Sequence, residues 1–273
     1  MVRGILGLSV VCFAACGDDG SGSGLDGGNG DGPDQSVNGD GNTGVDFASP
    51  VDATCMLQTF TGFPGISAQL RRLDCSCGCV IDSFDTTQVS GFWNGSVMDS
   101  TFNPTVTGLN VTPAIGDGGV AFGGLTSINP ANTFFLDGDF DVLIDYQLET
   151  ALPNDAQASL QVNNLKPPVN STYTVERQRS VGGAQLYSAA VAGIQPVTAA
   201  TTATTGTLEL ERTGFTIRAV ADGTEVTRFT GAVQDRLALL LTAGVNSCSG
   251  GGCTFTVRWR NLRMTRGALV DRQ

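Results

Sequence analysis

Two groupings of residues in this chain have the makings of a reactive site. Asp139, Asp141 and Asp145 fall within one short run, DFDVLID, and Cys55, Cys75, Cys77 and Cys79 gather upstream of it. Paired carboxylates serve glycoside hydrolysis, one protonating the leaving oxygen and the other acting on the opposite face of the sugar. Clustered thiols bind a metal, run redox chemistry or cross-link the chain. The chain contains no histidine. That removes Ser-His-Asp and Cys-His nucleophilic catalysis and every metal site built on an imidazole. Carboxylate chemistry survives the exclusion.

The acids do not complete a catalytic pattern. Strand alternation puts Asp139, Asp141 and Asp145 on one face, but Leu143 stands between the last two, and Asp139 reads as part of a turn over Leu136–Asp139. Glu209 and Glu211 share a face, with Glu209 placed opposite Arg218. Glu176 precedes Arg177 on what reads as a polar outer face. These are surface acids, solvated or paired, so a non-enzymatic role is favoured. Asp139, Asp141 and Asp145 are the catalytic candidates to mutate first. Calcium is the one cofactor left open, through the loop acids Asp117, Asp137 and Asp155.

The N-terminus tells where such a chain works. Arg3 precedes a short apolar run and small residues up to Cys16, the layout of an export signal over 1–15, too short to span a bilayer. Phe13-Ala14-Ala15-Cys16 resembles the bacterial lipobox, which implies lipidation of Cys16 and an outer-membrane anchor facing the periplasm or the cell surface. The alternative is an ordinary signal cut near Ala15 and secretion. Residues 17–46 hold eleven Gly and seven Asp, too little apolar surface to offset ordering, so 16–52 reads as a flexible linker after the anchor. The net charge of −11 and the absence of a basic stripe argue against nucleic acid as a partner.

Export decides between the fates of the thiols. With Cys12 lost in the leader and Cys16 lipidated, six remain: Cys55, Cys75, Cys77, Cys79, Cys248 and Cys253. An even number in an oxidising compartment argues for three disulfides. Cys248 and Cys253 flank a Gly-rich turn and suit a local bridge. Cysteines two apart on an extended strand sit roughly 6.6 Å apart, near the upper limit for a bridge. The arrangement that avoids this joins Cys55 to Cys77 and Cys75 to Cys79, with pairing to Cys248 or Cys253 also open. A four-thiolate zinc site is disfavoured by the one-residue spacing.

Downstream the chain reads as strands. Runs at 80–84, 105–111, 140–148, 158–162, 172–179, 207–211, 215–220, 236–241 and 254–260 are β-rich and separated by Gly, Asn, Asp and Pro, with no sustained helical period. In TLELERTGFTIRA a turn at Thr213-Gly214 would set Leu210 against Ile217, Leu208 against Ala219 and Glu209 against Arg218. Asp222-Gly223 marks a second hairpin. The last strand alternates Phe255, Val257 and Trp259 inward and shifts phase near Asn261 to bury Leu262 and Met264. Trp93 and Trp259 fall on core phases; Tyr146 fits either side.

The run DSFDTTQVSGFWNGSV, with Phe84, Asp85 and Trp93, resembles the opening strand of the concanavalin A-like lectin/glucanase superfamily. LDGDFDVLIDYQL is similar to its F-D-V-x-x-D-x-x-L strand, and TYTVERQR, GTLELERTGFTIRAVADGTEV and VRWRNLRM follow in the superfamily's order over about 80–266. The resemblance implies an all-β, two-sheet antiparallel jelly-roll sandwich over 80–273, after a Cys-rich lead-in at 53–79. Its members include lectins, laminin-G-like binding modules and glycan-cleaving enzymes. The glucanases carry E-x-D-x-x-E on one strand, a run this sequence lacks. A surface-displayed, non-catalytic module for polysaccharide or another cell-surface molecule is therefore the leading expectation. An atypical glycoside hydrolase or lyase, and a structural envelope protein without a small ligand, are the alternatives.

Overall fold

A computed structural model describes residues 72–75, 78–115, 119–128, 133–164, 171–191, 194–248 and 252–272. Cys16, Cys55, Cys77 and Asp117 lie outside the described residues. In chain order the strands begin with β1 (Arg72–Asp74), β2 (Cys79–Asp82), β3 (Asn94–Met98), β4 (Ser100–Thr105), β5 (Gly108–Ile115) and β6 (Ala121–Thr126). Then come β7 (Thr133–Leu148), β8 (Ala156–Asn163), β9 (Thr172–Arg179), β10 (Gln185–Val191) and β11 (Val197–Ala200). The last are β12 (Thr205–Thr213), β13 (Thr216–Ala221), β14 (Thr224–Thr230), β15 (Ala238–Val245), β16 (Cys253–Thr254) and β17 (Val257–Arg272). The described residues contain no helix.

The strands form two antiparallel sheets packed as a sandwich. One has ten strands, with the path β14-β13-β12-β7-β17-β5-β16 and β1, β2 and β4 attached to it. The other has seven, in the order β11-β10-β9-β8-β15-β6-β3. Their inner faces share one core that includes Val142, Ile144, Leu208 and Trp259 from the larger sheet and Leu160, Val175, Leu241 and Ala243 from the smaller. Both tryptophans are inside. Trp93 stacks with Phe84 and meets Phe92 edge-on, with centroids at 5.9 and 4.7 Å, and its indole Nε1 donates to Asp82.

The phase shift expected near Asn261 is present. Asn261 takes a φ of 51°, the pairing of β17 slips there, and Leu262 and Met264 are fully buried on the far side. Asp222 and Gly223, at φ 49° and 71°, make the two-residue turn between β13 and β14. The preceding hairpin departs from expectation by two residues. Thr213 pairs with Thr216 around Gly214-Phe215, so Leu210 faces Ala219, Leu208 faces Ala221, and Glu211, not Glu209, faces Arg218. Gly214 at φ 55° supplies the positive φ that this tight turn needs at its first central position. A slip of two keeps every side chain on its face, which is why the pattern alone did not expose it.

Leu136–Asp139 is likewise not a turn: β7 runs straight through it. Gly138, at φ 67°, lies where the pairing with β17 is irregular, and Gly267 of β17 at φ 117° approaches so closely that a Cβ would sit 2.8 Å from that of Phe140. Tyr146 points inward, its hydroxyl 2.8 Å from that of Tyr187, which donates to Asp222. This polar chain crosses between the sheets. Cys75 is bridged to Cys79 and Cys248 to Cys253. The first bridge links the residue after β1 to the start of β2, and both strands pair with β17, so among the described residues sheet pairing is already present at Arg72.

Candidate functional site

The two outer faces differ in chemistry. On the ten-stranded sheet the outer face is a network of charges. Arg218 donates to Glu211 and Glu225, Arg228 also engages Glu225, and Arg266 reaches Glu211 at 3.1 Å. The aspartate triplet lies on this face, and each member accepts at least one hydrogen bond, though the buried Oδ1 of Asp141 has no donor of regular geometry. Asp139 accepts from the Gly214 amide at 2.8 Å and Asp141 from the Thr265 hydroxyl. Asp145 accepts from Arg263 and Asn261, both at 2.9 Å, and from Thr207. Leu143, almost fully buried, separates Asp141 from Asp145. Exposed ion pairs of this kind contribute little each, and the acids that do meet on this face are Asp141 and Glu209, not the members of the triplet.

One acid on that face is poised differently. Glu209 is pushed up to about 7 by burial first, then by the charge of Asp141 beside it, with Arg218 pulling the other way. Its folded value lies above its unfolded one, so the stability it contributes is full below about pH 4.5 and is lost as the pH rises through 7. Glu209→Gln is therefore expected to leave stability unchanged near pH 4.5 and to raise it by about 1 kcal/mol at pH 8. Urea unfolding at the two pH values measures this, and equal shifts at both would contradict it.

The calcium candidates do not converge. Asp137 pairs with Arg236 at 3.0 Å, while Asp155 accepts from Ser247 and Asn246 at the start of β8. Among the described residues no group of three or more acids or cysteines is arranged to hold a metal ion.

The outer face of the seven-stranded sheet is short, polar and nearly free of charge. Pairing registers align one transverse row across all seven strands: Ser96, Gly124, Thr242, Ser159, Glu176, Ser188 and Thr198. The alternation of β9 makes the row possible. Tyr173, Val175 and Arg177 go inward, so Thr174, Glu176 and Gln178 must face out. Ser159, Ser188 and Thr242 are buried at the floor. Around them stand longer side chains from the rows on either side, Gln161 and Thr174 on one, Gln157, Gln178 and Leu186 on the other. Gln161 Nε2 donates to Ser159 at 2.9 Å and to Thr242 at 3.3 Å, and Asn163 donates to Thr172 at 2.7 Å.

Glu176 is the one ionisable residue in the three aligned rows, and its carboxyl is pushed up to about 7. Burial is the cause. No neighbouring charge enters, and only the hydroxyl of Ser188 pulls the value down. Ser188 is itself fully buried, with no hydrogen-bond partner of regular geometry. Near neutrality the row thus offers one carboxyl able to donate or accept, flanked by hydroxyls and carboxamides. That suits the recognition of a polyhydroxylated ligand. A second carboxylate, which hydrolysis by paired acids requires across the scissile bond, does not stand in these rows. The sequence marks Glu176 only as a surface acid beside Arg177, because nothing local distinguishes it. Its neighbours Ser159, Ser188 and Thr242 come from three other strands, all more than ten residues away.

The fold these residues sit on is the concanavalin A-like jelly roll of the glucanases. The chain superposes on the catalytic domain of an endo-1,3-beta-glucanase (laminarinase) from Thermotoga petrophila RKU-1 with a TM-score of 0.51 at 10% identity, over 70% of this chain and 95% of that one. Looser matches include a Bacillus licheniformis beta-glucanase (TM-score 0.47, 11% identity, 68% and 96% covered). Another is the carbohydrate binding module CBM66 from Bacillus subtilis (0.39, 14%, 64% and 98%). No protein-family model matches the chain, and no curated protein matches it in sequence.

Proposed function

We propose that the chain is an exported, non-catalytic binding module for polysaccharide, held at the bacterial cell envelope through a lipid on Cys16 and the Gly/Asp-rich linker that follows. The observation that carries the binding role is the transverse row on the seven-stranded sheet. Its small floor residues, amides and a single near-neutral carboxyl match sugar hydroxyls in chemistry, and the row runs the full width of the sheet. The jelly roll is shared with a solved protein described as an endo-1,3-beta-glucanase, which is consistent with a carbohydrate-related reading at the level of fold.

The isolated acid is what separates binding from cleavage. Affinity electrophoresis of residues 53–273 through gels containing laminarin, lichenan, levan, alginate or polygalacturonate tests both. The expected result is retardation in at least one gel with no release of reducing ends on long incubation. Sustained release of reducing ends, abolished by Glu176→Gln, would favour a hydrolase. Unaltered migration in every gel would count against binding and leave the structural envelope role. Palmitate labelling in bacterial cells, lost in Cys16→Ala, tests the anchor.

A further inference from the structure

Phe122 of β6 faces the same side of the sheet as the polar row and lies outside the apolar core. One glycine, Gly124, makes room for it, and a second lies beside it. A Cβ on Gly124 would sit 2.6 Å from the ring's Cζ and 2.8 Å from Cε1, and one on Gly244, its cross-strand partner, would lie 3.7 Å from Cδ2. The phenyl ring is therefore laid over backbone where any other residue would prop it up or displace it. Its neighbour across β3 is Met98, 58% exposed, so the ring borders the open edge of the sheet. Gly124 belongs to the transverse row three strands from Glu176, about 14 Å at the usual strand spacing.

We infer that Phe122 is a stacking platform for a sugar ring, and that an uncharged glycan lies across the strands from Phe122 to Glu176. The inference rests on the binding role proposed above for this face. The apolar ring meets the C–H face of a pyranose, and the partly exposed Gln157, Gln161 and Glu176 meet hydroxyls of the residues that follow, above the buried and mutually bonded Ser159 and Thr242. The class of glycan follows from what the face lacks. No Arg or Lys stands in the three aligned rows to pair with a uronate or sulfate, and its one acid would repel such a group once ionised.

Four variants in the same gels, with melting temperatures measured alongside, separate the outcomes. Wild type should be retarded by a neutral polysaccharide (laminarin, lichenan or levan) and pass freely through alginate and polygalacturonate. Phe122→Ala and Gly124→Ala should each weaken that retardation about tenfold, whereas Phe122→Trp should preserve it. Loss in Phe122→Trp as well, at an unchanged melting temperature, would show that the ring acts in packing and would overturn the platform. Full binding by Phe122→Ala together with loss in Glu176→Ala would overturn the platform and leave the face. Retardation by the anionic polymers instead would overturn the neutral class. No binding to any polymer would remove the underlying reading itself.

Discussion

Replacing Arg212 with methionine is expected to lower the unfolding free energy by about 3–5 kcal/mol. The guanidinium is 1% exposed, and it donates only to backbone carbonyls, those of Gly138, Val233 and Asp235. It also lies over the Phe140 ring, 4.9 Å from the centroid. Burial pulls its pKa down from the usual value, while Asp139 and Asp137 oppose that. Methionine fills much of the volume but leaves three carbonyls without their donor, at about 1–3 kcal/mol for each that stays dry. In a domain of this size the melting temperature should fall by roughly 10 °C. Lysine should not rescue it, because one ammonium cannot span the carbonyls of two separate segments. A fall of under 2 °C would mean that these carbonyls find other partners.

Substitution of Glu176 should weaken binding as much as loss of the Phe122 ring, and it alone should change the pH dependence. Its carboxyl is held near 7 by burial alone, so a sugar laid over it removes further water and favours the protonated form. Affinity for a neutral glycan should therefore decline as the pH rises from 6 to 8. Glu176→Gln, a permanent neutral donor of similar shape, should bind with no such decline, and Glu176→Ala should lose about tenfold at pH 6. The stability of the wild type should fall as the pH rises from about 4.5 through 7, since the folded pKa lies above the unfolded one. Isothermal titration at the two pH values decides the matter. A pH dependence that persists in Glu176→Gln would assign it to another group.

Much of the scaffold behind these expectations is written in local pattern. The span of β9, the bulge at Asn261 and the Asp222-Gly223 turn follow from alternation and turn chemistry over a few residues. The strands β3, β4, β6, β10, β11 and β14 were not legible in that way. β3 and β11 are exposed edges with no apolar phase, and β6, AFGGLT, is broken by Gly123 and Gly124, the second of which seats Phe122. The candidate site was least legible of all. Asp139, Asp141 and Asp145 drew attention because they are close in sequence, yet the structure spends them on Gly214, Thr265 and Arg263. Glu176 and Ser188 became neighbours only through the register of β9 with β10, and Phe122 joined the adjacent row of their face only through β15 and β8. Such register is set by long-range pairing, which no short window of sequence contains. The buried Arg177 shows the same limit. It sits beside Glu176 in sequence, but points inward to hold Ala203 and Gln185.

The two outer faces carry different reporters, which allows a direct test of which one binds. Gln157, Gln161, Gln178 and Asn163 place their carboxamides on the uncharged face; Asn110, Gln147 and Asn261 lie in the charged sheet. Titrating nitrogen-15-labelled protein with a hexasaccharide of the neutral polysaccharide that retards it should shift the side-chain amide signals of Gln157, Gln161 and Gln178 and leave those of Asn110 and Gln147 in place. Shifts confined to Asn110, Gln147 and Asn261 would put the ligand on the charged face and contradict the assignment.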